Sequence, residues 1–190
     1  MTLSFAAIDV ETANPTHGSI CAIGVTVVRD GIAVTTRSML CRPPAGVDSF
    51  SPHNVRIHGI KPGDVAEQPT FAERLPEVLA LVGDLPVVAH NARFDMGNLT
   101  RACGFTGVPL PMWDFGCTLS WSGQQLRLES YGLANVAQAL GVSLDKHHEA
   151  GADAAAAAGV ALGLARLAGA RTLVELARAN GACLTRLANR

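Results

Sequence analysis

The sequence predicts an α/β fold with a mixed sheet, and two observations carry this prediction. Three strand-like segments open the chain at residues 3–10, 20–28 and 32–41, and the turn dipeptide at 30–31 joins the second to the third. After them, strand-like and helix-like segments alternate, as is typical of α/β proteins. The 190 residues, 48% of them hydrophobic, can bury one sizeable core, so we expect a single domain over residues 1–190.

The later segments follow from local patterns of apolar, turn and breaker residues. Residues 42–70 are crowded with Pro, Gly and Ser and predict a long surface loop that holds a short helical turn. Further strands are predicted at 86–90 and 112–119. Helices are predicted near 71–82, at 94–103 ending before Gly104, at 131–140, at 149–168 and around 172–179. The domain core would comprise about residues 3–168 and a C-terminal helical extension about residues 171–190, whose leucines would close the core.

Bulk properties narrow the function classes. The formal net charge of −1 provides no overall basic field, so binding of nucleic acid must rest on a local site where metal ions supply positive charge. The five cysteines include no C-x-x-C pair, which favours reduced thiols in a cytoplasmic protein over a zinc site or a disulfide framework. We also expect neither a signal peptide nor a membrane segment.

Two carboxylates lie on the first predicted strand. Asp9 and Glu11 are separated by one residue, so the alternation of side chains along a strand sends both to one face and Ile8 and Val10 to the other. Two neighbouring acids repel each other unless a cation lies between them. The alternative is a solvated strand end, because short D-x-E matches also arise by chance.

Two further carboxylates occur near the starts of predicted helices. Asp95 follows the apolar strand at 86–90 and lies in the first turn of the next helix, where an acid is also a favourable partner of the helix dipole. Asp153 lies in the alanine-rich helix, where residues 154–158 offer no cation within helical reach. This acid therefore requires a partner from outside its helix.

Two histidines precede the alanine-rich helix. On a continuous helix, His148 and Asp153 would point apart by about 140°, because each residue turns the helix by about 100°. We therefore expect His148 in the loop before the helix, free to reach the same site as Asp153. A surface or helix-entry role is the alternative, and the adjacent His147 leaves the choice between the two histidines open.

The four acids and the histidine suit one kind of chemistry. Hard divalent cations prefer oxygen ligands. Two such ions about 4 Å apart can orient and deprotonate a water molecule and stabilise the leaving oxygen of a phosphoryl displacement. A nearby histidine with a pKa near neutrality can take the proton of that water.

Three segments resemble the histidine subtype of the DEDD exonuclease superfamily, a DnaQ-like family that includes proofreading epsilon subunits, ribonuclease T and oligoribonucleases. They are FAAIDVETA at 5–13, VVAHNARFDMGNL at 87–99 and HHEAGADA at 147–154, in the family's order. The resemblance extends over about residues 3–168. It implies a ribonuclease-H-like fold with a five-stranded mixed sheet flanked by helices.

The resemblance also implies roles for individual residues. Asp9 would bridge two ions of Mg²⁺ or Mn²⁺, Glu11 and Asp153 would bind mainly the first ion, and Asp95 would support the second. His148, five residues before Asp153, matches the general base. The implied activity is 3′-to-5′ exonucleolytic hydrolysis at single-stranded 3′ ends of DNA or RNA, with release of nucleoside 5′-monophosphates.

Substrate contacts are implied in the same way. Backbone amides near Thr12 and Ala13 would meet the terminal 3′ hydroxyl, and Phe94 would lie near the terminal nucleotides, with a core position as its alternative role. His58 lies in a segment that looks like the substrate-contacting stretch of the family, and His53 lies five residues upstream. The alternative for both histidines is an ordinary loop position.

Other expectations concern the partners and one departure from the family pattern. Glu149 is an additional acid beside His148, which would raise the pKa of that histidine or be solvated. DNA is favoured over RNA, and relatives suggest a polymerase or a second copy of the chain as partner. The short segment after the C-terminal leucines disfavours an epsilon-like grip on a polymerase. The alternative functions are a noncatalytic nucleic-acid-binding or polymerase-associated module and a phosphodiesterase of short oligonucleotides.

Overall fold

A computed structural model describes residues 3–188 of the chain. Within these residues, a mixed sheet contains six strands. They are β1 (Phe5–Thr12), β2 (Ile20–Arg29), β3 (Ile32–Leu40), β4 (Val87–Ala89), β5 (Asp114–Cys117) and β6 (Thr185–Arg186). The strand order is β3-β2-β1-β4-β5-β6. The pairs β1–β4 and β4–β5 are parallel and the other neighbours are antiparallel.

Helices cover both faces of the sheet. The described part of the chain contains α1 (Pro52–His58), α2 (Pro62–Val65), α3 (Phe71–Val82), α4 (Ala92–Thr106), α5 (Thr118–Gln125), α6 (Leu133–Ala139), α7 (Ala150–Ala168) and α8 (Leu173–Ala179). One core cluster joins the sheet to α3 and α4, and a second joins it to α5, α6, α7 and α8. The expected mixed sheet flanked by helices is confirmed.

The predicted number of five strands is wrong, because β6 adds a sixth, two-residue strand along β5. The helical extension predicted after residue 170 packs on the rest of the chain. Leu173 and Leu176 join the cluster that contains α7, and Leu187 joins the cluster on the opposite face. The C-terminal leucines therefore close the core, as expected, and they do so on both faces of the sheet.

Two predicted boundaries are also wrong. The helix expected to end before Gly104 continues to Thr106, and it ends at Gly107, whose φ of 69° lies in the left-handed region. A single glycine inside a helix costs only about 1 kcal/mol, so Gly104 does not end it. The strand expected at 112–119 is shorter, because α5 begins at Thr118 and places the ring of Trp121 directly on Gly116.

The side chains of β1 separate the two core clusters. Ile8 and Val10 lie in the cluster with α3 and α4, whereas Phe5 and Ala7 lie in the cluster with α7. The pairing of β1 with β2 is regular up to Glu11, so Asp9 and Glu11 continue the row of Phe5 and Ala7. The two acids therefore lie on the opposite face of β1 from Ile8 and Val10, as predicted.

Small residues opposite the two acids let α7 approach β1. Gly24 of β2 is paired with Asp9, and Ala22 is paired with Glu11; directly opposed residues of antiparallel strands share a face. A Cβ at Gly24 would lie 1.8 Å from the carbonyl oxygen of Ala150 and 2.7 Å from the amide nitrogen of Gly151. The first turn of α7 therefore rests on the backbone of β2.

Helix α7 is long enough and apolar enough to cross a membrane by length and composition, with a mean hydropathy of 1.3. Two thirds of it (67%) is buried inside the described chain, and it packs against β1, β2 and β3. This burial is typical of a core helix, and its alanines and glycines allow the close contact with the sheet.

Candidate metal centre

A cleft of about 600 Å³ opens where β1 ends, between α1, the start of α4 and the loop before α7. Eight of the ten predicted site residues line it. They are Asp9, Glu11, Thr12, His53, His58, Phe94, His148 and Asp153. The other two, Ala13 and Asp95, are 0% and 1% exposed and do not line the cleft.

Three carboxylates converge in the cleft. Asp9, Glu11 and Asp153 each offer one oxygen, and the three oxygens lie within 4.8 Å of one another. Two come from β1 and the third from α7, which reaches them because its first turn rests on Gly24. Among the described residues that line the cleft there is no lysine or arginine, so no such side chain offsets their charge there.

The electrostatics of this cluster favour a bound cation. Burial raises the pKa of Asp9 well above its ordinary value, and the carboxylates of Asp95 and Asp153 raise it further. The pKa of Glu11 is raised to about 9, first by burial and then by Asp9 and Asp153. Such pKa values mean that the ionised cluster is unfavourable by itself. A donor set made only of oxygens fits hard divalent ions.

Asp95 reaches the site from the edge of β1. Strand β4 pairs only with Ala6 and Ala7 of β1, so it ends before the amide of Val10, which donates to Oδ1 of Asp95 at 3.0 Å. Burial raises the pKa of Asp95 to about 8, although hydrogen bonds from backbone amides lower it. Asp95 is therefore a neighbour of Asp9 outside the cluster of three oxygens.

His148 lies in the loop before α7, as the helical geometry predicts. Its backbone φ is 68°, and its amide donates to Oδ2 of Asp153 at 3.0 Å. Burial and the adjacent His147 lower the pKa of His148, although Asp153 raises it. The ring is therefore held close to the carboxylates by the backbone of the loop itself.

His147 contacts Asp153 directly, which the sequence did not predict. Its Nδ1 lies 3.1 Å from Oδ1 of Asp153, and its ring stacks on that of His148, with centroids 3.8 Å apart. His147 is thus one partner of Asp153 from outside α7. The only sequence signal was the histidine pair itself.

Glu149 caps α7 with a side chain that is partly exposed. Its carboxylate accepts hydrogen bonds from the amides of Gly151 and Ala152 at 3.2 and 2.9 Å, and the hydroxyl of Ser38 on β3 also donates to it. Burial raises the pKa of Glu149, but these hydrogen bonds lower it below the ordinary value. Burial and His147 lower the pKa of His148, and Asp153 raises it, so an effect of Glu149 on this histidine stays a prediction.

Helix α1 holds the end of β1. Nε2 of His58 donates to the carbonyl oxygen of Thr12 at 3.1 Å, and its Nδ1 accepts from the amide of Ile60 at 3.0 Å. Asn54 donates to the same carbonyl at 2.9 Å and to the hydroxyl oxygen of Thr12 at 3.1 Å. Burial lowers the pKa of His58, although the bond to Thr12 raises it. Both ring nitrogens of His58 are thus engaged within the protein.

The remaining predicted contacts differ in their accessibility. The amide of Ala13 donates to the carbonyl of Ser19 at 2.7 Å, so the structure does not bring it to the cleft. Phe94 is 40% exposed and lines the cleft, so its alternative role in the core is wrong. Ile57, 42% exposed, lines the cleft as well. His17 lies 6.3 Å from Phe94 by ring centroids, and no local pattern predicts it.

Comparison with known proteins places the chain in a family. The family model described as Exonuclease, of the RNase T type, matches residues 6–161. The chain is 31% identical over 159 residues to the PolC-type DNA polymerase III of Clostridium perfringens, covering 81% of this chain and 11% of the relative. It is 30% identical over 167 residues to the PolC-type enzyme of Thermotoga maritima, covering 84% and 12%. The chain thus spans about a tenth of these relatives' length.

Solved structures share the fold. Exonuclease X in complex with 5′ overhanging duplex DNA superposes with a TM-score of 0.75 at 25% identity, covering 95% of this chain and 100% of that chain. The nuclease domain of a DEDDh family 3′-exonuclease bound to rAMP has a TM-score of 0.71 at 17% identity, covering 86% and 92%. These neighbours confirm the ribonuclease-H-like fold. Because the family model covers residues 6–161, the chain belongs to the exonuclease family of DnaQ-like DEDD proteins.

Proposed function

We propose that the chain is a metal-dependent 3′-to-5′ exonuclease that hydrolyses phosphodiester bonds at single-stranded 3′ ends and releases nucleoside 5′-monophosphates. The convergence of Asp9, Glu11 and Asp153, with oxygens within 4.8 Å of one another in an open cleft, carries this proposal. The family supports the reaction class.

The four carboxylates divide into a cluster and a supporting group. Asp9, Glu11 and Asp153 would hold divalent ions, and Asp95 would support them from the edge of β1. Two ions of Mg²⁺ or Mn²⁺, when bound, would supply an activated water and stabilisation of the leaving oxygen. Burial and mutual repulsion raise the pKa of Asp9 and of Glu11, so the cluster gains most from a cation when it is ionised.

His148 would act as the general base. Its ring lines the cleft, and its lowered pKa keeps it neutral near physiological pH, so a ring nitrogen can accept a proton from water. The hydrogen bond from its amide to Asp153 keeps the base beside the carboxylates. The loop therefore links proton transfer to the position of α7.

The end of β1 and the exposed apolar side chains would receive the 3′-terminal nucleotides. Thr12 is held by hydrogen bonds from α1, while Phe94 and Ile57 present exposed surfaces on which bases can pack. His53 is exposed at the same cleft. We infer DNA as the favoured substrate and a polymerase as the partner, because the PolC-type relatives are DNA polymerases.

A second candidate is a phosphodiesterase that acts on very short oligonucleotides. The described residues lining the cleft include no lysine or arginine, and long strands are usually held by several contacts between cationic side chains and phosphates. A substrate with one or two phosphates needs fewer such contacts. Relative rates on dinucleotides and on longer strands decide between the two candidates.

One digestion assay tests both candidates through the length of the substrate, and Asp9→Asn tests the metal site that they share. Labelled DNA and RNA oligonucleotides from dinucleotides upward are digested with Mg²⁺ or Mn²⁺, and the products are resolved by length. Digestion by Asp9→Asn should fall at least about a hundredfold, because even residues that only support metal ligands contribute ten- to a hundredfold. Asp84→Asn, a matched change at an exposed acid outside the cleft, should digest like wild type. Equal digestion by Asp9→Asn and wild type would show that the metal assignment is wrong.

A further inference from the structure

A second set of metal-ligating atoms lies beside the carboxylate cluster. His147, His148 and Asp153 each offer one ligand atom, two ring nitrogens and a carboxylate oxygen, and these atoms lie within 4.8 Å of one another. Asp153 is the only residue that this set shares with the cluster formed with Asp9 and Glu11. The two sets therefore compete for one carboxylate.

The two imidazoles are already arranged around that carboxylate. The rings of His147 and His148 stack with an interplanar angle of 23° and centroids 3.8 Å apart. Nδ1 of His147 lies 3.1 Å from Oδ1 of Asp153, while the amide of His148 fixes Oδ2. The side chain of Asp153 is 5% exposed and that of His147 is 40% exposed, so an ion can enter from the His147 side.

The donor atoms select a different class of ion from the one that suits the carboxylate cluster. Imidazole nitrogen is a preferred ligand of zinc, copper and nickel, whereas magnesium prefers oxygen. Two histidines, one carboxylate and an open position form a donor set found in zinc enzymes. We propose that His147, His148 and Asp153 form a site for a transition-metal dication of the zinc class.

Occupation of this site would inhibit the enzyme, an effect that rests on the proposed function. The ion would engage His148, the base, and Asp153, a ligand of the carboxylate cluster, so both would be withdrawn from hydrolysis. Zinc added to a digestion supported by Mg²⁺ should therefore reduce the rate even when Mg²⁺ is in large excess, because imidazole ligands favour zinc over magnesium.

Cobalt(II) titration tests the site without substrate, because the visible absorption of cobalt reports its ligands. His147→Phe keeps an aromatic ring against His148 and removes the ring nitrogens, and His147→Gln provides a second variant without that ring. Both should weaken cobalt binding at least about tenfold, since even supporting residues of metal sites contribute that much. His17→Phe, at a cleft histidine outside the set, should bind cobalt like wild type. Added zinc should displace the cobalt and abolish the absorption.

Asp9→Asn separates the two metal sets. If the proposal holds, this variant keeps the cobalt absorption. For His147→Phe, the zinc concentration that halves its own Mg²⁺-supported rate should rise at least about tenfold, whatever that starting rate is. Loss of cobalt binding in Asp9→Asn together with full binding in His147→Phe would place the ion in the carboxylate cluster and overturn the proposal. Cobalt binding that depends on His147, in a protein that digests no oligonucleotide, would instead keep the metal site and reject the proposed function.

Discussion

The candidate site is assembled from a regular strand on one side and a loop on the other. Asp9 and Glu11 belong to β1, whose pairing with β2 is regular up to Glu11. Residues 147–149 precede α7, and distant parts of the chain place both: Ser38 of β3 donates to Glu149, and the first turn of α7 rests on Gly24 of β2. The half of the site on β1, with Asp9 and Glu11, therefore depends on local geometry, and the half that carries Asp153 and the base depends on packing.

Gly24→Ala should have the largest effect, because it separates the two halves. The added Cβ would lie 1.8 Å from the carbonyl oxygen of Ala150, so the first turn of α7 must move away from β2. Overpacking of this kind costs about 1–3 kcal/mol. Denaturant unfolding should show this loss in the free energy of unfolding, and digestion should fall as Asp153 and His148 leave the cleft.

Gly63→Ala is the matched control for this substitution. A Cβ at Gly63 would meet nothing within 4 Å, so stability and digestion should stay close to those of wild type. Full digestion by Gly24→Ala would contradict the view that the contact between α7 and β2 places the base. A loss of digestion without a loss of stability would indicate that α7 shifts as a rigid unit.

The same distinction explains how much of the molecule the sequence predicts. The placement of Asp9 and Glu11 follows from alternation along one strand, and the position of His148 before the helix follows from helical geometry. The close approach of α7 to Gly24 joins residues far apart in the chain. The contact of His147 with Asp153 is closer in sequence, but it depends on the loop, in which His148 has a φ of 68°. Local patterns contain no information on such contacts, since each glycine or histidine alone is compatible with many environments.

Short elements are poorly predicted from the sequence for a related reason. Strand β6 contains two residues and exists through its pairing with β5, and α5 is fixed by the ring of Trp121 on Gly116. Neither segment has enough residues for its periodicity to be recognised. By contrast, α3 and α7 lie close to their predicted bounds, because their patterns extend over 12 and 19 residues.

The pH dependence of the stability of the metal-free protein should test the half of the site that lies on β1. Burial, followed by neighbouring carboxylates, raises the pKa of Glu11 to about 9 in the folded state. A carboxyl group with a raised pKa stabilises the fold below its ordinary pKa of about 4.5, and this stabilisation is lost as pH rises through the folded value. Thermal unfolding without divalent ions should therefore show lower stability at about pH 8 than at about pH 6.

Divalent ions should reverse this trend. At a concentration one hundred times its Kd, Mg²⁺ or Mn²⁺ adds about 2.7 kcal/mol to the free energy of unfolding, and ions bind better at the higher pH because the ligands must lose their protons. Glu11→Gln should flatten the pH dependence, whereas Glu129→Gln, at an exposed position outside the cleft, should not. Metal-free stability that rises over this pH range would contradict the raised pKa of Glu11.

Glu149→Ala should have the smallest effect on stability and digestion. It should change only the half of the site formed by the loop before α7. Loss of a helix cap costs about 1 kcal/mol, and the carboxylate of Glu149 also joins α7 to Ser38. We expect kcat to fall with little change in KM, because the loop no longer holds His148 while the surfaces for the substrate on α1 and α4 stay in place. Glu149→Gln keeps an oxygen acceptor and should retain most of kcat, and Glu67→Ala, at an exposed acid outside the cleft, should match wild type. If Glu149→Ala lowers stability but leaves kcat unchanged, the cap supports only the helix, and the base is positioned by the contacts of Asp153 alone.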